Sequence, residues 1–301
     1  MTVAAAFGWL TEPYSFAFMQ RALLGALLVG VVSPLVGTWI VLRRLAYVGD
    51  AMGHATVSGV AVAALAGWSI TVGALGAGLV MAALMALLAA HPRLRSDSIV
   101  GAVEVALFAV GVLLISRSTN ITVDLGHILF GSVTTVSSHD LVVNAVLGVL
   151  VIAAIAFLFR DLRSATFDPT HATLVGVRVT VLRQALLALV AISVVMALQT
   201  VGLLMSIALL IVPAATARLW TRTVLGMSVL AAAIGAGCSG IGLTLSYHLS
   251  SAPGATIALT AVAALAVSFA LTLPRRGRAP LAHAPAAGGG HGGHGGHGGH
   301  A

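Results

Sequence analysis

Asp50 and His54 stand four residues apart in Tyr47-Val-Gly-Asp-Ala-Met-Gly-His-Ala-Thr-Val-Ser58, inside a largely apolar stretch. On a helix this spacing puts a carboxylate and an imidazole on one face, and Ser58 continues the same polar stripe. Such a pair is half of a site for a borderline divalent cation. It reads equally as a helix-start aspartate bonded to a histidine near a membrane surface, because Arg43 and Arg44 come just before it. Glu104 follows Asp97 by seven residues, again a same-face spacing, and lies deeper in its apolar segment. It is either a cation ligand or a protonated, hydrogen-bonded acid. His248, in Ser246-Tyr-His-Leu-Ser-Ser-Ala-Pro-Gly254, reads as a solvated histidine at a segment end or, with His127, His139 and Asp140, as part of a metal funnel. Ionisable groups within membrane spans cost about 2.5–3.5 kcal/mol each on insertion scales, so each is a functional candidate by default.

The rest of the composition says what holds these residues. Of 301 residues, 59% are hydrophobic and only 8% charged, with a mean hydropathy of +1.08. A soluble domain carries about 25% charged residues, so a water-soluble enzyme is excluded. All fifteen cationic side chains are arginine, and without a lysine the Gly-x-x-x-x-Gly-Lys-Ser/Thr nucleotide loop is impossible. No nucleophile elbow and no His-Glu-x-x-His motif occurs, so no enzymatic activity is expected of this chain alone. The net charge of +7 marks membrane topology rather than nucleic acid. The one cysteine, Cys238, excludes intrachain disulfides and iron–sulfur clusters and reads as a small core residue. Glu12 precedes the first arginine, so a cleaved signal peptide is not expected.

A spanning helix needs about 20 mostly apolar residues. Candidate spans are 16–42, 46–66, 69–90, 98–116, 140–159, 181–199, 200–217, 223–247 and 254–273, an all-α polytopic membrane protein with nine spans or, alternatively, eight. The alternatives meet at 182–217, which is either one bent helix or a hairpin. Thirteen of the fifteen arginines fall between, after or at the very start of spans so that nine crossings, with the N-terminus outside, bring them to one side. Eight crossings would move early or late clusters across. In the connection 160–178, Asp168 followed by Pro169 is a helix start and Gly176 a stop, which predicts a short helix at the inner face. Residues 1–278 form the transmembrane domain. Residues 279–301 are a polar Gly/His-rich extension expected to be a disordered cytoplasmic tail, whose His291, His294, His297 and His300 either chelate metal or do nothing.

Leu42-Arg-Arg-Leu-Ala-Tyr-Val-Gly-Asp-Ala-Met-Gly-His-Ala-Thr-Val-Ser-Gly-Val60 resembles the strongest segment of the membrane permease subunits of ABC importers for manganese, zinc and iron. The likeness continues through Arg95–Gly101, Val123–Gly131, Phe167–Ala172, Val201–Leu204 and Pro213–Arg218 to Ser246–Leu249 and Gly254–Thr256, covering about residues 14–275. The resemblance implies a homodimer in the bacterial cytoplasmic membrane, two cytoplasmic ATPase subunits that bind ATP, and an extracytoplasmic metal-binding protein. No permanently bound cofactor and no nucleic acid partner is implied. Mn²⁺ or Zn²⁺ would be the transported ion, Asp50 and His54 would fall on the family's transmembrane metal positions, and Phe167, Asp168, Pro169, His171 and Gly176 would mark the helix that couples to an ATPase.

One departure stands out. The family often reads Ser-Tyr-x-x-Asp-x-Pro-Ser-Gly near its last spans, whereas Ser250 occupies the acidic position here and the proline is Pro253. If that acid helps cations pass in relatives, this protein must do without it or use His248 or Glu104. The expectation is an ATP-driven importer permease, and the alternative an ATPase-independent secondary transporter or channel.

Overall fold

A computed structural model of the chain describes residues 12–89, 91, 93–117 and 137–276. A 3₁₀ turn (Glu12–Ser15) leads into ten helices: α1 (Ala17–Leu42), α2 (Ala46–Ala66), α3 (Ile70–Ala89), α4 (Ser96–Ser116), α5 (Ser138–Phe167), α6 (Pro169–Leu174), α7 (Val179–Thr200), α8 (Leu203–Trp220), α9 (Val224–Leu249) and α10 (Pro253–Arg276). No strand occurs among the described residues. Eight of the helices are long and apolar enough to cross a membrane. The exception among the long helices is α8, at 18 residues.

The stretch 182–217 is therefore a hairpin and not one bent helix. Its break is Val201–Gly202, where Gly202 takes a φ of +94° that any side chain would oppose. α8 then runs from this end to the opposite one, because Ala214 and Ala217 pack with Leu42, Met227 and Ala231 where α1 ends and α9 begins. It runs the length that the nine-span reading of the arginine pattern assigns to its seventh segment, although only eight of the described helices are long and apolar enough to cross a membrane. The ends of α1, α5 and α7 also meet. Arg43 Nε donates to Thr166 Oγ1 at 3.0 Å, and Trp39 of α1 clusters with Leu162 of α5, Ala172 of α6 and Leu182 of α7. At the other end Tyr14 Oη shares a 2.7 Å hydrogen bond with Thr244 Oγ1, and Met19 packs on Leu243.

The core is a layer of α1, α7 and α8, lined by Ala26, Val29, Met196, Leu209 and Leu210, each at most 1% exposed. α4, α5 and α10 stand outside and turn large apolar side chains outward, among them Val105, Phe157 and Leu259. In lipid this arrangement is unremarkable, since hydrocarbon solvates such faces and helix association rests on packing instead. Small residues carry that packing. Gly30 and Gly235 bring α1 and α9 into backbone contact, and a Cβ on either would strike the other's carbonyl oxygen.

The connection between α5 and α6 is a single residue. Asp168 ends α5 and caps α6, its Oδ1 accepting from the His171 amide at 2.8 Å, with Pro169 at the first helical position. Phe167 belongs to the last turn of α5, and Gly176, at φ +84°, lies just beyond α6. Phe167, Leu174 and Val175 are all exposed at this end of the bundle. The segment Val123–Gly131 with His127, and the tail histidines, lie outside the described residues.

Candidate metal site

Asp50 and His54 occupy one face of α2, near its start, as helical periodicity demands. Their Oδ1 and Nδ1 atoms are 3.9 Å apart. Glu104 comes from α4, which runs beside α2 and places Oε1 2.9 Å from His54 Nδ1. The spacing of the two helices is set by Gly111, two turns beyond Glu104. A Cβ there would sit 2.8 Å from both Cα and N of Ser58, so only glycine lets α4 approach α2 this closely. Ser58 turns its hydroxyl back to Ala55 O at 2.8 Å and takes no part in the cluster.

One ligand atom from each of Asp50, His54 and Glu104 lies within 4.8 Å of the others, the one such group of metal-ligating side chains among the described residues. With Glu104 ionised, His54 Nδ1 donates its hydrogen to Oε1, and a cation can take that position only with the imidazole hydrogen on Nε2 instead. Two carboxylates and a neutral imidazole then carry a charge of about −2 in a region of low dielectric, where a dication is the natural counter-charge. Glu104 is the inner wall, with its side chain 12% exposed against 38% for Asp50, so the site opens on the Asp50 side.

Two further residues shape the site. Tyr47 Oη donates to Glu104 Oε2 at 2.8 Å, which holds that oxygen away from His54 and leaves Oε1 turned toward the imidazole. The Phe108 ring meets the His54 ring edge to face at 5.8 Å. Both were visible in the spacing, since Tyr47 precedes His54 by seven residues and Phe108 follows Glu104 by four. A polar residue flanking a candidate ligand at helical spacing is the signal that would have found Tyr47.

The other sequence candidates lie elsewhere. His248 is half-buried at the far end of α9, its ring edge to face with Tyr247 at 5.3 Å. Ser250, at the family's acidic position, caps α9 in the left-handed conformation with φ +47°. His139 and Asp140 sit at the exposed start of α5, where Asp140 closes a capping box with Ser137. Asp97 is exposed in the first turn of α4.

A profile described as the ABC 3 transport family matches residues 15–272. The chain belongs to that family. It is 37% identical over 262 residues to the manganese transport system membrane protein MntC of Listeria monocytogenes, covering 87% of this chain and 93% of that one. It is 35% identical over 264 residues to a probable iron transport system membrane protein of Haemophilus influenzae, covering 88% and 97%. A solved structure described as PsaBC from Streptococcus pneumoniae in complex with Fab superposes with a TM-score of 0.78 at 32% identity, covering 90% of this permease and 98% of that chain. As an ABC permease the chain is a transporter component and is not itself catalytic.

Proposed function

We propose that this chain is the permease of an ATP-driven importer that carries Mn²⁺ across the cytoplasmic membrane, with Asp50, His54 and Glu104 as the transient site for the ion. The carrying observation is the convergence of three ligand atoms within 4.8 Å from two helices. Two oxygen donors and one imidazole suit Mn²⁺, and relatives named as manganese transport proteins, from Listeria monocytogenes and from Streptococcus gordonii, support that choice over Zn²⁺. The half-exposed Asp50 side must look onto protein or water in a bilayer, and a second copy set against that face provides both. Phe167, Leu174 and Val175 around α6 offer apolar contact to a cytoplasmic ATPase, with Asp168, Pro169, His171 and Gly176 holding α6 in place. Two ATPase subunits bind and hydrolyse ATP, and an extracytoplasmic binding protein delivers the ion. Residues 1–278 are the transport unit.

The test is uptake of radioactive manganese by liposomes holding the full chain, with and without its ATPase. Uptake that needs ATP and the ATPase supports the reading. Uptake by the chain alone overturns it in favour of a secondary transporter, and zinc outrunning manganese overturns the metal assignment.

A further inference from the structure

Where α3 ends and α7 begins, the surface is cut by a cavity of about 370 Å³ lined by apolar Met85 and Ala86 of α3 and by Thr180, Arg183, Gln184 and Leu187 along one face of α7. Its level is that of the arginine-rich end of the bundle, since Thr180 and Arg183 lie in the first turns of α7. We propose that this cavity binds an anionic phospholipid, with the phosphate on Arg183, Thr180 and Gln184 and the acyl chain against Met85, Ala86 and Leu187.

Three observations carry this. Arg183 is half-buried, yet it forms no ion pair with any carboxylate among the described residues. Its charged neighbour is another cation, Arg43, whose guanidinium is held below its usual range first by burial and then by Arg183. Arg43 Nη2 is itself buried without a hydrogen-bond partner, while its Nε is spent on Thr166. Two guanidinium groups that repel each other in a partly desolvated place are relieved by an anion, and none of the described carboxylates pairs with either. The apolar wall selects which anion. A free phosphate would leave Met85, Ala86 and Leu187 without a partner, whereas a phospholipid in the cytoplasmic leaflet brings phosphate and hydrocarbon together at this depth.

The experiment uses the full-length chain in detergent, titrated with dioleoyl phosphatidylglycerol, dioleoyl phosphatidylcholine or inorganic phosphate, and follows the thermal midpoint. Phosphatidylglycerol should raise the midpoint saturably, and phosphatidylcholine and phosphate should not. Arg183→Gln should weaken the phosphatidylglycerol response about fivefold, the worth of one cation near an anionic headgroup, and Arg183→Lys should retain most of it. Ala86→Phe fills the cavity without touching a charge and should also abolish the response, which keeps the test open if Arg183→Gln fails to fold. Equal stabilisation by the two lipids, a full response from inorganic phosphate, or an unchanged response in both variants would overturn the proposal. Loss of ATPase binding in Arg183→Gln with the lipid response intact would overturn it too, and would assign the cavity to the ATPase. None of these readouts involves manganese, so the outcome is independent of the function proposed above.

Discussion

The α2–α4 site and the inner rim of the bundle handle charge in opposite ways. The site gathers two acids and a histidine with no arginine, and the rim gathers arginines that make no ion pair with an acid among the described residues. Pairing the two sets would have been the cheaper solution in each place, because an unpaired charge in a low dielectric is costly. Keeping them apart leaves each with an unspent affinity, the acids for a cation and the arginines for anionic surroundings. The rim orients the chain in the membrane. The acids, as proposed above, hold the ion it carries.

The sharpest way to break that contrast is to remove one acid. Asp50→Asn keeps size and hydrogen bonding but deletes a charge at the open side of the site. Manganese uptake should fall by at least about a hundredfold, the upper end of what loss of even an outer-shell partner costs, with assembly of the ATPase complex unchanged by size-exclusion chromatography. Full uptake by this variant would end the site assignment. Gly111→Val attacks the spacing instead of the chemistry. It drives a side chain into the Ser58 backbone and should cost about 1–3 kcal/mol, read as a lower unfolding midpoint together with weakened manganese binding. If binding survives the loss of stability, Glu104 is not a ligand.

A smaller effect sharpens the role of the phenol. Tyr47→Phe removes only the hydroxyl that fixes Glu104 Oε2 and should weaken manganese binding about tenfold, as outer-shell hydrogen bonds to metal ligands do. Fluorescence or calorimetric titration of the detergent-solubilised complex would measure it, and an unaltered affinity would make Tyr47 a bystander. The smallest effect belongs to the rim. Asp168→Ala removes the cap of α6, worth about 1 kcal/mol, and should lower ATPase affinity a few-fold while leaving manganese binding to the permease untouched.

How much of this was legible in the chain itself differs between the two regions for a physical reason. The rim was legible almost entirely, because arginine clusters and apolar runs are local signals and the sign rule for their placement needs no tertiary structure. Asp168-Pro169 was legible for the same reason, since a cap acts within one turn. Half of the site was legible too, where periodicity alone puts Asp50 and His54 on one face. Glu104 was visible as a buried acid, but its partner was not, because the 2.9 Å contact with His54 exists only once α4 packs on α2. That packing is decided by Gly111 against Ser58, a contact that no periodicity announces. Span boundaries shifted for another reason. α5 continues to Phe167, well past its most apolar stretch, because the tertiary cluster around Trp39, Leu162 and Ala165 holds its charged last turns in helix.

The brevity of α8 has a consequence for the bilayer. Eighteen residues rise about 27 Å, a little short of a hydrocarbon core of about 30 Å. A lipid-facing helix of that length would have to thin the membrane around it. α8 is spared, because α1, α2, α7, α9 and α10 all pack against it and no residue between Met205 and Ala217 is exposed. Its solvent is protein, so the missing turn is made up by Val201–Gly202, irregular backbone at membrane depth that is itself buried. Hydrophobic mismatch is thus a constraint on the outer helices, and the membrane thickness that suits this permease is set by α3, α4, α5, α9 and α10, the spans least buried within the chain.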